Sequence, residues 1–268
     1  MQNLATVKKV LIPSPAVPRR RWIVKPILIG FGVFYVLPLI AQGVFYLLTG
    51  PHEHWSRADR SSIGIAPVAA RTPEAVVQVY NARTHAWRSI FAVHTWIAVK
   101  PAHAADWERF EVIGFGVNRG RPALRTSSGL PDTRWFGHDP VVIAELRGAA
   151  AEAAIPRLRA AVAGYPYPKS YTAWPGPNSN TFTAHVARRV PELRLDLPAT
   201  AIGKNYPVGG FFSSTPSGTG WQLTLGGFAG IAASLEEGIE IDLFGLSAGL
   251  DFKPPALRLP GLGRLGWD

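Results

Sequence analysis

The chain has 268 residues, 47% of them hydrophobic and only 17% charged, which excludes a disordered or coiled-coil polypeptide. It has no Cys, so disulfides, thiolate metal sites and a cysteine nucleophile are excluded as well. The net charge of +10 suggests nucleic-acid binding until it is located: residues 1–25 hold six cations (Lys8, Lys9, Arg19, Arg20, Arg21, Lys25) and no acid, leaving 22 cations against 18 acids elsewhere.

From Pro26 to Gly50 no residue is formally charged, and Ile, Leu, Val, Phe, Tyr and Gly dominate. A helix of this length reaches roughly 37 Å at about 1.5 Å per residue, enough for a hydrocarbon core of about 30 Å with some tilt. Pro38 predicts a kink of the kind membrane helices tolerate. A cleaved signal peptide has a shorter apolar core ending in a small-x-small site. This run instead ends in Tyr46-Leu47-Leu48-Thr49-Gly50-Pro51, which favours an uncleaved signal-anchor. The preceding cations place the N-terminus in the cytoplasm, by the positive-inside rule. The bulk of the chain is then expected on the periplasmic or extracytoplasmic side of the inner (cytoplasmic) membrane. Tyr46 and Trp55 suit an interfacial aromatic belt.

His52 to Thr72 is polar and irregular. His52-Glu53-His54 places two imidazoles on one side of an extended segment, but no further ligands accompany them. A solvated juxtamembrane stretch is the expectation, with no metal and no cofactor. Strands are predicted over Ala75–Tyr80, Ser89–Val99, Phe110–Gly116 and Val141–Leu146, all rich in β-branched and aromatic residues. Asn118–Gly137 has no apolar period and reads as a long loop. There, Arg119, Arg121, Arg125 and Arg134 either meet an anionic polymer or headgroup or are simply solvated.

Gly148–Gly164 is Ala-rich and helical, with Pro156 expected to break or restart it. A second helix is expected from about Asn180 to Arg189. Beyond Leu197 the pattern becomes period-two, as in Trp221, Leu223 and Leu225 or Ile239, Ile241 and Leu243, which reads as an amphipathic β-meander. Lys253–Asp268 is Pro-, Leu- and Gly-rich, an extended strap or a segment lying on the bilayer.

Two places suit chemistry. Trp174-Pro-Gly-Pro-Asn-Ser-Asn-Thr-Phe182 delivers a polar cluster to a helix start, where unpaired N–H groups and the dipole favour negative charge. Ser179 is there either a nucleophile or part of a cap with Asn178, Asn180 and Thr181. His94 lies mid-strand, sharing a face with Trp96 and Ala98, and is either a satisfied core residue or a general base.

Ala-Val-His-Thr-Trp-Ile (92–97), Phe-Glu-Val-Ile-Gly-Phe-Gly (110–116), Gly-Pro-Asn-Ser-Asn-Thr-Phe (176–182) and Glu-Glu-Gly-Ile-Glu (236–240) together resemble the bacterial domain of unknown function family 3750. That family implies no established activity. More distantly, an early-strand His followed by an Asn-Cys-Asn-Thr-Phe-like helix start is similar to circularly permuted papain-like hydrolases and acyltransferases. That resemblance implies His94 as base, Ser179 in place of the cysteine nucleophile and Glu111 as the orienting group. Ser for Cys is a departure, because a hydroxyl needs concerted removal of its proton whereas a thiol ionises readily.

The predicted fold class is therefore α+β. It comprises a basic tail (1–25), a transmembrane signal-anchor helix (26–50), a linker (51–72), a papain-like domain (73–197) and a β-meander with its tail (198–268). The predicted function is a membrane-anchored envelope protein that uses the papain-like pocket for binding or as a non-catalytic scaffold. The alternative is a serine-dependent amidase, esterase or acyltransferase. Asn178, Asn180, Trp96, Arg119 and Arg121 are the predicted binding residues. The expected partners are the lipid bilayer and an envelope peptide, lipid or anionic polymer, with no nucleic acid; no protein partner is specified.

Overall fold

A computed structural model describes residues 20–49 and 53–266. Most of the basic tail and His52 lie outside the described residues. The apolar stretch forms helix α1 (Arg20–Phe31), a π-helical turn (Gly32–Val36) and helix α2 (Leu37–Leu48). Val24–Leu48 is 25 residues with a mean hydropathy of 2.1, long and apolar enough to cross a membrane. The π turn lies just before Pro38, whose ring removes an N–H donor and crowds the carbonyl four residues earlier; a wider turn relieves that crowding. Of this stretch only Tyr35 and Pro38 are buried.

Strands β1 (Val76–Arg83), β2 (Val93–Lys100), β3 (Glu108–Val112), β4 (Leu124–Ser128) and β5 (Val141–Arg147) form an antiparallel sheet in the order β4-β3-β2-β1-β5. Helices α3 (Gly148–Ala163) and α4 (Ser179–Ala187) cover one face. Val77, Val79, Ile97, Val99, Phe110 and Val112 pack there with Leu158, Phe182 and Val186. The opposite face buries Tyr80, Trp96 and Trp107 under Ala66 and Ala69 of the linker.

Several expectations change. Strand β4 lies inside the supposed loop 118–137; it is a polar edge strand, so no apolar alternation marks it. The strand predicted from Ser89 begins at Val93, because Ala86–Ile90 forms a 3-10 turn, and β3 stops at Val112 rather than Gly116. Pro156 neither breaks nor restarts α3: it sits on the exposed side, where the helix tolerates the lost hydrogen bond. The linker is not merely solvated, because buried Asp132 accepts hydrogen bonds from Ser62 Oγ (2.6 Å), Ile65 N (2.7 Å) and Ala66 N (3.0 Å).

The C-terminal part is a seven-stranded antiparallel meander: β6 (Phe212–Ser214), β7 (Gly220–Leu225), β8 (Ala229–Ser234), β9 (Ile239–Leu243), β10 (Leu246–Phe252), β11 (Pro255–Leu259) and β12 (Gly263–Gly266). The tail is thus neither a strap nor an isolated bilayer segment, since β11 and β12 complete the sheet.

The meander's polar face is the one turned inward. Buried Glu240 accepts from Lys204 Nζ and Arg258 Nη1, each at 2.8 Å, while Asn205 Nδ2 donates to Asp242 (2.7 Å) and Arg188 Nη2 to Gln222 (2.9 Å). Arg258 also meets Asp251, Asp196 and the Leu197 carbonyl. These bonds fasten the sheet to residues 188–205.

Candidate functional site

A cavity of about 1430 Å³ opens where the N-termini of β2 and α4 meet the end of β3, the β9–β10 hairpin and helix α2. Its walls are largely aromatic and aliphatic, including Trp87, Phe91, Trp135, Trp174, Phe244 and Leu39. Ser179, His94, Glu111, Asn178 and Asn180 all line it.

His94 Nε2 lies 3.1 Å from Glu111 Oε2, and the same oxygen accepts from Arg109 Nη2 at 2.8 Å. Strand register explains the cluster: Trp96 pairs with Glu111 across β2 and β3, so His94 lies diagonally from the carboxylate, and Arg109 stands two residues away on the same face. Arg109 is also clamped by Thr133 Oγ1 (3.0 Å) and lies 4.3 Å over the Trp96 ring. Trp135 stacks on the His94 imidazole at 3.7 Å between centroids.

Burial lowers the His94 pKa below the usual histidine range; nearby Arg109 adds to this, and Glu111 opposes it. Burial acts to raise the Glu111 carboxyl, but the His94 hydrogen bond and the Arg109 charge outweigh it, leaving the carboxyl below its usual range. Neutral His94 therefore donates Nε2–H to an ionised Glu111. Its Nδ1 carries no hydrogen bond among the described residues.

Ser179 is the first residue of α4, and Asn178 is its cap. Asn178 Oδ1 accepts from the N–H groups of Asn180 (2.9 Å) and Thr181 (3.2 Å), while Thr181 Oγ1 accepts from Asn178 N (3.2 Å). That reciprocal box leaves the Ser179 N–H and hydroxyl without partners among the described residues. Gly203, at φ +93°, lies against the Asn178 amide; a Cβ there would stand 2.4 Å from Nδ2. Asn180 ties α4 to β2, donating to Val93 O (3.1 Å) and Ile202 O (2.8 Å) and accepting from Thr95 Oγ1 (3.0 Å).

Ser179 begins the helix that covers one face of the sheet, and both it and His94 line the cavity. Thr95 points toward α4, bonding Asn180 and Thr183, while His94 projects with Trp96 to the other face. No hydrogen bond links Ser179 to His94 among the described residues.

The amides of Asn178 and Asn180 are consumed by caps and backbone carbonyls. Trp96 is fully buried, donates Nε1–H to Pro131 O (2.8 Å) and stays off the cavity wall. Arg119 and Arg121 are exposed and stand outside the cavity. Arg125 and Arg134 do line it, half-buried, and Arg134 pairs with Asp59 and Asp139.

A family model described as a protein of unknown function, DUF3750, matches residues 74–206. Residues 74–206 are a DUF3750-like region. No curated protein and no solved structure matches the chain. The DUF3750-like region runs from the residues before β1 through Tyr206, so it contains His94, Arg109, Glu111 and Ser179 and stops before the meander.

Sequence reasoning missed Arg109, Trp135, Arg60 and Arg88 at the cavity. Arg109 had a readable signal: in Arg109-Phe-Glu111 the two charges share a strand face, so a partner on β2 was available to both. Trp135 and Arg60 lie in irregular segments and Arg88 in the short 3-10 turn before β2, whose courses no periodicity reveals.

Proposed function

We propose that the DUF3750-like region binds an anionic amphiphile in the cavity, with the apolar body among the aromatic walls and the charged head at the arginines. The observation that carries this reading is the charge of a largely apolar wall: Arg60, Arg88, Arg109, Arg125 and Arg134 line it, against Glu111 as the one carboxylate among the described residues. Glu111 is already spent on Arg109 and His94, while Arg60, Arg88 and Arg125 pair with no carboxylate among the described residues. A large concave apolar site with a few charged groups is the usual form of a small-molecule site.

The apolar helix anchors the chain in the cytoplasmic membrane, and the cations before it put the domain on the extracytoplasmic side. The ligand is then an envelope lipid or a comparable amphiphile. A test titrates the full chain with a fluorescent alkylsulfonate against the neutral alcohol of equal length. Saturable binding at least tenfold tighter for the anion supports the reading.

A second reading, serine-dependent hydrolysis or acyl transfer, draws on the unpaired hydroxyl and N–H of Ser179 at a helix start. In it Ser179 Oγ attacks an acyl carbonyl, His94 Nδ1 accepts its proton and returns it to the amine or alcohol that leaves as the C–N or C–O bond breaks, water or an acceptor alcohol then takes the acyl group from Ser179, and Glu111 orients the imidazole. The absence of a hydrogen bond between Ser179 and His94 among the described residues ranks it second. Covalent labelling of Ser179 by a fluorophosphonate, lost in His94→Ala, would establish it.

A further inference from the structure

The meander inverts the usual order of a half-buried sheet. Its apolar residues fall in cross-strand rows on the outer face: Phe212, Leu223, Ile231, Ile241 and Ala248 in one, and Trp221, Ala233, Ile239, Leu250, Leu257 and Leu265 in another. Leu225 is 60% exposed and Ile241, Leu250 and Phe252 each 51%, whereas Glu240 and Arg258 beneath them are 1% and 2% exposed. Exposed apolar patches of this extent mark an interaction surface.

One contact indicates what covers it. At the end of the first row Ala248 is buried, the π turn of the apolar helix packs on β10, and Tyr35 donates to the Ile241 carbonyl at 2.6 Å. The middle of the helix is thus joined to the sheet's apolar face, and both carry exposed apolar side chains. With the helix in lipid at the level of Tyr35, the adjoining sheet face meets lipid as well. A second copy of the chain would cover the sheet but leave the helix bare. Phe211, Phe228 and Phe244, exposed at strand ends and hairpin turns, add the aromatic rim typical of an interface.

We infer that the outer face of the β6–β12 meander docks on the lipid bilayer. The outer side chains meet the lipid while the open edges at β6 and β12 stay out of it, because unpaired edge N–H and C=O groups are costly in hydrocarbon. Docking also sets the orientation of the cavity. Phe244 and Leu246 of the β9–β10 hairpin and Leu39 of the helix belong to its wall, so this part of the wall lies toward the membrane from which an amphiphile would enter.

This inference rests on the helix being a membrane anchor, and the test separates the two. The cysteine-free chain permits single nitroxides at Leu223→Cys and Leu250→Cys on the face, with Ala153→Cys on exposed α3 as the reference. The full chain is reconstituted in phosphatidylcholine–phosphatidylglycerol vesicles, and collisions with oxygen and with a water-soluble nickel chelate are compared. The two face positions should show an oxygen-to-nickel ratio several-fold above that of Ala153→Cys. Face positions as open to nickel as the reference, or shielded from both reagents by a second protein copy, overturn the docking. Retention on the vesicles after an alkaline carbonate wash tests the anchor on its own. A chain that is retained but reads aqueous at Leu223 and Leu250 loses only the docking, and a chain released by carbonate loses the anchor.

Discussion

Glu111 on β3 and His94 on β2 share a buried hydrogen bond of 3.1 Å, and Arg109 holds the same carboxylate oxygen from the other side. Removing the carboxylate by Glu111→Gln leaves a buried guanidinium unpaired. Breaking one partner of such a pair typically costs about 3–5 kcal/mol. Thermal and denaturant unfolding of Glu111→Gln should show a loss of that order, whereas Ser179→Ala should change stability by less than about 1 kcal/mol, because no hydrogen bond is lost.

On the proposed reading, the same cluster makes ligand affinity depend on pH. Neutral His94 gains a proton only below the usual histidine range, while Glu111 stays ionised. Protonation adds positive charge to the cavity wall. Affinity for an alkylsulfonate, whose own charge is constant, should therefore rise as pH falls through the His94 titration. His94→Gln should flatten this dependence, as read by fluorescence titration between neutral and mildly acidic pH.

A second histidine sets the pH dependence of stability. His185 is buried in α4, with Nε2–H donating to Ala161 O (3.1 Å) and Nδ1 accepting from Arg189 (3.0 Å), so it is held neutral. Burial, with Arg189 beside it, lowers its pKa from 6.5 to about 4. The unfolded chain binds this proton below about pH 6.5 and the folded chain only near 4. Stability from this residue is therefore complete above 6.5 and falls as pH drops toward 4, by up to about 3 kcal/mol. Melting curves of the wild type should show this fall, and His185→Gln, which can keep both hydrogen bonds, should reduce it.

Asn180→Ala should be among the most damaging polar substitutions. It removes three buried hydrogen bonds joining α4 to β2 and the Ile202 carbonyl, stranding groups that water cannot reach. A loss of about 2–4 kcal/mol is expected from denaturant unfolding.

Much of this organisation is legible in the residues themselves. The uncharged run after Lys25 is the apolar helix, and alternation in Trp221–Leu225 and Ile239–Leu243 marks strands of the meander. Alternation does not say which face turns inward. The meander turns its charges in because Lys204, Asn205, Arg188 and Asp196 wait beneath it, a match between distant segments that no local pattern contains. Strand β4 escaped notice because Arg125-Thr-Ser-Ser128 is polar throughout, as an exposed edge allows. At the cavity, the helix start at Ser179 and the placement of His94 on a strand were readable. The facing of the His94 side chain depended on sheet register, which the sequence motifs do not carry.

Binding in the cavity is tested most directly by titrating the full chain with the fluorescent alkylsulfonate, comparing wild type with Ala173→Trp and with Arg88→Gln/Arg125→Gln. Ala173 is an exposed residue on the cavity wall, so the indole fills space without disturbing the core. Saturable one-to-one binding should be abolished by Ala173→Trp and weakened about tenfold or more by the arginine pair, with melting temperatures unchanged. Uptake that does not saturate, or that is the same in all three proteins, would contradict the account.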